Sequence, residues 1–495
     1  MITSNDFQNL PAKNLCIRRM DENKKKILSD ILHKSMENIG IKNQMGERAP
    51  SVEQYKSLYL RKRESANEII FYQRYGVKWL PWYGVVNVPD IKDDSIKSEL
   101  VDFLKDELKE YVEGDYIVSC LSVSTPNYSL NDLLQSVLKV SMVWGVEKAV
   151  SVFEQCVDKK SSIPIKRFAL IEGVINQSEM EIFEGIRLMT GKDLFVDCPN
   201  CREEFLLQDR GVGFAHNGFI VADYSLSPIF VKPSAYQFFQ PSPFQEKLQS
   251  TEINKFDFVS FCNILSLVSN NRIRPMIVSD YVMGDMAEFG YLTNDDVALG
   301  GFLRNKYQVY ERDRSAMPVS ISKEQMEEAK SLYLKVYDSN RKEFDLLRTV
   351  VIPRWVKAKK FIGGRFYVDD FIDLGIALES LYVPDSGSGE ISFKLRTRAS
   401  CHLGANVEEK MDIFRKFKAI YDQRSRAVHR GEVEKKVKIG GKDTSISSVL
   451  ESAQDLCRES ILKVIEAGGV PDWDSLVVSG GQTPTPSITS GNQEG

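Results

Sequence analysis

The sequence predicts an α+β fold: an N-terminal mixed α/β region followed by an all-helical C-terminal bundle. Three observations lead there. Runs of β-branched and aromatic residues, broken by Gly, Asn, Asp and Pro, cluster between about residues 160 and 235. From about residue 320 the apolar residues recur at helical spacing instead. At 495 residues the chain exceeds the ~150 residues typical of one domain, which points to two to four units.

Composition narrows the class. Hydrophobic residues make up 42% and charged residues 27%, the balance of a globular protein and not of a disordered or fibrous one. No apolar run approaches the ~20 residues that cross a bilayer, so no membrane partner is expected. The chain opens Met1-Ile2-Thr3-Ser4-Asn5-Asp6, with an acid and no apolar segment, and no signal peptide is read there. Eight Cys are scattered at 16, 120, 156, 198, 201, 262, 401 and 457, which forms no disulfide framework and suits a reducing, cytoplasmic compartment. Net charge is −4, but residues 341–470 hold 24 Lys and Arg against 19 Asp and Glu. A mildly basic unit on an acidic remainder is compatible with phosphate contact.

In chain order, residues 20–75 read as helical, with Ile27, Ile31, Leu32 and Met36 on one face and a capping-type start at Ser51-Val52-Glu53-Gln54 leading toward Arg74. Residues 76–125 carry Pro breaks around Trp79 to Val86, read as short strands or packed loops. Within that stretch 96–112 is helical and Tyr116 to Leu121 a strand. Further strands are placed at Arg167–Ile171, Met180–Phe183, Phe219–Ala222 and Pro228–Val231, a buried helix at 256–268, and mixed strand and loop from Ile273 to Leu292. Gly211-Val212-Gly213 lacks the third Gly of a dinucleotide fingerprint and reads as a turn.

The helical region follows. Met326, Ala329, Tyr333 and Tyr337 form one stripe, and Phe344, Leu347, Val351 and Trp355 another, broken at Pro353. Tyr333, Tyr337 and Trp355 are read as core. Asp369 or Asp370 caps a helix carrying Phe371, Leu374, Leu378 and Leu381. The next helix stops at Gly404, with His402 structural near its end. A longer one runs from about Val407 through Met411, Phe414, Phe417, Ile420 and Tyr421 into the run that ends at Gly431. Residues 433–442 read as a basic loop or small hairpin, and a last helix spans Ile446 to Val464. The parts are therefore residues 1–330, divisible into 1–125 and 126–320, then 340–470, then a disordered tail at 475–495.

Two constellations carry chemistry. Cys198-Pro199-Asn200-Cys201 supplies two ligands where structural zinc takes four. Cys262 and His216 would have to complete a site in space, and a plain turn is the alternative. No cofactor is expected. The other is Tyr421-Asp422-Gln423-Arg424-Ser425-Arg426-Ala427-Val428-His429-Arg430-Gly431, which sets a His, one of four in the chain, among cations at a helix end. Five residues turn an ideal helix by about 140° beyond one full turn, so Arg424 and His429 do not share a face. Arg reach, a distorted helix or a second protomer would have to bring them together.

With the helix Phe371 to Leu381 (FIDLGIALESL), the Arg396-Thr397-Arg398-Ala399 step and Tyr421-x-x-Arg424-Ser425-x-x-Val428-His429, residues 345–468 resemble the HEPN superfamily, most closely its Apea-like group. Arg430 departs from the pattern of many relatives, which place Gly directly after the His. The resemblance implies a HEPN-type bundle, a metal-independent endoribonuclease, and a homodimer in which Arg424 and His429 of two protomers line one cleft. RNA is then the partner, and the N-terminal region senses an unknown trigger or scaffolds. A toxin or antiviral effector is the implied role; a non-catalytic HEPN protein for nucleic-acid or nucleotide binding, or for dimerisation, is the alternative. RNA is cut when its 2′-OH attacks the adjacent phosphate. His moves protons near neutral pH, and Arg offers a permanent charge to the transition state. Glu379 is expected to hold Arg424 or Arg398. Ser425 would orient the phosphate or cap a turn, and Arg426 and Arg430 would contact RNA.

Overall fold

A computed structural model describes residues 20–43, 51–56, 87–113, 116–118, 127–158, 163–175, 178–197, 217–226, 256–282, 318–337, 341–359, 367–384 and 390–481. In chain order these hold α1 (Glu22–Glu37), β1 (Ile39–Asn43), β2 (Asn87–Ile91), α2 (Asp94–Glu107), β3 (Val112–Glu113), β4 (Tyr116–Val118), β5 (Asn127–Ser129), α3 (Leu130–Trp144) and α4 (Val146–Val157). Next come β6 (Ile163–Ile175), β7 (Met180–Phe183), β8 (Ile186–Thr190), α5 (Gly191–Asp197), β9 (Asn217–Leu226), α6 (Phe258–Ser269), β10 (Arg274–Val282) and α7 (Lys323–Tyr337). The chain continues with α8 (Ile352–Ala358), α9 (Tyr367–Tyr382), α10 (Ile391–Leu403), α11 (Val407–Arg430), β11 (Lys436–Ile439), β12 (Lys442–Ser445), α12 (Ile446–Ala467) and α13 (Trp473–Val478). The mixed class is as predicted. None of the described helices is long and apolar enough to cross a membrane.

Two units divide the chain. Unit 1 is Met1–Leu170, Glu184–Phe256 and Met276–Tyr310; unit 2 is Ile171–Phe183, Asp257–Pro275 and Glu311–Gly495. This differs from a cut near residue 330, because α6 belongs with the helices that follow it. Phe261 of α6 meets Tyr333 of α7 edge-on at 5.5 Å between ring centroids, a partner far away in sequence.

In unit 1, Leu28, Ile31 and Leu32 of α1 join Leu100, Leu104, Leu133, Val137, Val152 and Phe153 in one apolar core. The Asp21 carboxylate starts α1 by accepting from Lys24 N–H. The helical reading of 20–75 needs correction after Asn38. Ile39–Asn43 is a strand, paired antiparallel with 87–91 in the register Ile39 to Ile91 and Asn43 to Asn87, and local periodicity cannot reveal so distant a partner. At Ser51 the capping box is present: Ser51 Oγ accepts from Gln54 N–H and Gln54 Oε1 from Ser51 N–H. The helix is described over 52–56, and its continuation toward Arg74 lies outside the described residues. Helices α3 and α4 went unpredicted; Gly145 separates them. In the sheet, β9 lies between β6 and β8, with Ile186 opposite Ala222 and Thr190 opposite Gly218. The strand reading at Pro228–Val231 lies outside the described residues.

Unit 2 gathers the ends of β6 and β10, with β7, around helices. Arg274 at the start of β10 is ion-paired with Glu172 of β6. Tyr333 stacks on Tyr337 at 5.2 Å between ring centroids, and Trp355 is fully buried, so these aromatics are core. A π-helical turn at Leu347–Val351 precedes α8. Pro353 has no N–H to return to Thr349, and the hydrogen-bond ladder widens there, Ile352 N–H reaching the Leu347 carbonyl. Gln454 of α12 ties down the end of α8: its carbonyl accepts from Trp355 Nε1 and its amide donates to the Ala358 carbonyl, both at 2.8 Å. The chain is helical through Val478, past residue 475 where the disordered tail was placed. The apolar Trp473 and Leu476 are buried there.

Candidate functional site

Helix α11 carries the Arg–His run. Asn406 caps its start by accepting from Glu409 N–H at 2.9 Å, and Glu409 reaches back to Ala405 N–H at 2.9 Å. Glu408 and Glu409 occupy the first turn and His429 and Arg430 the last, matching acid and base to the two ends of the helix dipole. Gly431, at φ +68°, ends the helix. Ile413, Phe417, Ile420 and Ala427 bury one face, and Arg424 lies within that face.

Arg424 crosses α9 at a gap. An ideal Cβ on Gly375 would fall 2.2 Å from Arg424 Cγ, so the missing side chain is what lets the arginine pass. One turn further along α9, Arg424 Nη2 donates to Glu379 Oε2 at 2.8 Å, each side chain being about one-fifth exposed (21% and 22%). Burial raises the Glu379 carboxyl above its ordinary pKa, against the lowering effect of the Arg424 charge and hydrogen bond. Arg424 Nε and Glu379 Oε1 are buried without a hydrogen-bond partner among the described residues. Of the two arginines expected to use Glu379, Arg424 does.

Arg398 sits elsewhere. It is 5% exposed and donates to the Tyr382 carbonyl and to Asp474 Oδ1, each at 2.8 Å, joining α10 to the end of α9 and to α13. Beside it the Tyr382 hydroxyl lies 2.9 Å from His402 Nδ1 and donates to Ser460 Oγ at 2.7 Å, which donates in turn to the Leu456 carbonyl. Because the Tyr382 proton is committed to Ser460, His402 Nδ1 is the donor to Tyr382. Burial, then the Lys463 charge, lowers the His402 pKa to about 4. His402 is structural, as read.

The remaining residues of the run spread around α11. Ser425 is inside the helix, so it caps no turn. Arg426 is paired with Glu434 Oε1 at 2.6 Å and Glu432 Oε1 at 3.4 Å. His429 and Arg430 are exposed. The helix is unbroken from Val407 to Arg430, so no distortion swings His429 toward Arg424, and Arg424's reach is directed to Glu379. Gly375, Gln423 and Glu434 were not foreseen in the site. A Gly inside an amphipathic helix costs about 1 kcal/mol against Ala, and that misfit was the available signal for Gly375.

Cys198, Cys201 and His216 lie outside the described residues, while Cys262 is buried in α6. Among the described residues no three His, Cys, Asp or Glu side chains gather as a metal site would require. No protein-family model, curated protein or solved structure matches the chain.

Proposed function

We propose that the C-terminal helical region is a HEPN-type bundle acting as a metal-independent endoribonuclease. In this reading it is a toxin or antiviral effector of the cytoplasm, regulated by an N-terminal region that binds an unidentified trigger. The observation that carries the proposal is the placement of Arg424 and His429 on one regular helix, the first drawn across Gly375 to Glu379 and the second exposed at the helix end. His429 would take the proton from the attacking 2′-OH as the 2′-oxygen bonds to phosphorus and the P–O5′ bond breaks, leaving a 2′,3′-cyclic phosphate and a 5′-oxygen that takes up a proton. Arg424 would neutralise the charge gathering on the phosphate. Since the helix holds the two about 140° apart, one site needs His429 of one protomer and Arg424 of another, which makes a homodimer part of the proposal.

The test is digestion of RNA in EDTA by the wild type, His429→Ala and Arg424→Ala, with candidate activating signals supplied. Cleavage by the wild type and loss in both variants supports the proposal; cleavage that survives both substitutions defeats it. A second reading, a HEPN protein that binds RNA or dimerises without cutting, draws on the engagement of Arg424 by Glu379. It predicts RNA binding with no cleavage by any of the three proteins.

A further inference from the structure

Two cations next to His429 were expected to meet RNA, and one of them is occupied. Arg426 is held by Glu434 and Glu432. Glu434 is itself fixed to α11, its backbone N–H donating to Gln423 Oε1 at 2.9 Å. This latch turns the chain back after Gly431 and sets β11 against α11. In β11 the period of two buries Val437, at 8% exposure, and turns Lys436 and Lys438 outward on either side of it. Gly440 and Gly441, at φ +58° and +86°, supply the two positive φ angles of a type I′ turn, whose twist matches the paired strands. The lysines therefore stand on a preformed hairpin and not on a loose loop.

Arg430, Lys435, Lys436, Lys438 and Lys442 are all exposed. No carboxylate among the described residues forms an ion pair with any of the five, though Asp443 stands across the ladder from Lys438. No large apolar side chain of the hairpin is exposed, whereas a segment that lies on a membrane buries an apolar face. We infer that the β11–β12 hairpin is an RNA-gripping surface, in which Lys436 and Lys438, on the strand that folds back along the helix carrying His429, hold the phosphate backbone while Glu434 withholds Arg426. The inference rests on the RNA-cleaving reading and adds the surface that presents the substrate.

The experiment measures binding of labelled single-stranded RNA by fluorescence anisotropy across a salt series, using the full chain with His429→Ala so that the RNA survives. Lys436→Glu with Lys438→Glu is compared with Lys323→Glu and Lys342→Glu, exposed lysines elsewhere in unit 2 that give the same charge change. Circular dichroism confirms the fold, and Gln replaces Glu at both hairpin positions should charge reversal unfold the chain. The hairpin pair is expected to weaken binding about ten-fold or more at low salt. It should also flatten the slope of log affinity against log salt by about 1.4, or ~0.7 per lost phosphate contact. The other pair should leave the slope intact. Equal losses in the two pairs overturn the inference, as does binding to phosphatidylserine vesicles with none to RNA. RNA bound through the hairpin but left uncut by the chain with His429 intact keeps the surface and removes the nuclease. Cleavage with unchanged affinity in the hairpin pair does the reverse.

Discussion

A methyl group on Gly375 would stand 2.2 Å from Cγ of Arg424, and the course of that arginine across α9 depends on its absence. Gly375→Ala therefore sets two effects against each other. Ala favours a helix interior over Gly by about 1 kcal/mol, but here its methyl displaces Arg424 near its root and takes the guanidinium off Glu379. The clash is expected to win, lowering the thermal midpoint. In an Arg424→Ala background the sign should invert, with Gly375→Ala stabilising. A stabilising Gly375→Ala in the wild-type background would falsify the steric account.

His402 makes stability depend on pH. Its pKa in the folded chain is lowered to about 4 from an ordinary 6.5. As pH falls, the unfolded chain takes up this proton first. The contribution is thus whole above pH 6.5 and lost progressively down to pH 4, by at most about 3 kcal/mol. Urea midpoints at pH 7.5 and pH 5 should diverge more for the wild type than for His402→Gln. Parallel pH dependence in the two proteins would remove His402 from the explanation.

Arg398→Ala should act on stability and leave a catalytic pH profile unmoved. It strips the buried Tyr382 carbonyl of its donor and removes the Asp474 contact of α13, a loss of about 1–3 kcal/mol. Hydrogen exchange in 473–478 should quicken. Unchanged protection there would mean that Trp473, whose Nε1 donates to the Leu381 carbonyl at 2.9 Å, holds α13 unaided.

Mixing inactive chains tests the composite site. If Arg424 and His429 of different protomers form one site, an Arg424→Ala chain and a His429→Ala chain can assemble a dimer with one intact pair. Cleavage should return on mixing and refolding the two together. A mixture as inactive as its components would place both groups of a working site in a single chain.

Much of the C-terminal helical region was legible because its apolar stripes recur at helical spacing and Gly404 and Gly431 mark two of the helix ends. The Arg–His run could be found the same way, and its 140° offset follows from helix geometry alone. The strand at Ile39–Asn43 was missed because its partner lies at 87–91, and α6 was assigned to the wrong unit because Tyr333 lies far along the chain. Arg426 was read as free for RNA because a local pattern does not show that Glu434 folds back onto it.

By itself the sequence determined the mixed class, the apolar faces of the main C-terminal helices, and the grouping of cations around His429, since all of these depend on residues within a few turns of one another. The tertiary structure alone decided that Glu379 serves Arg424 while Tyr382 and Asp474 serve Arg398, and that Gly375 is the gap through which Arg424 passes. Those outcomes depend on which helices pack together and at what register. A carboxylate pairs with whichever cation packing brings within hydrogen-bond reach, and spacing along the chain does not carry that distance.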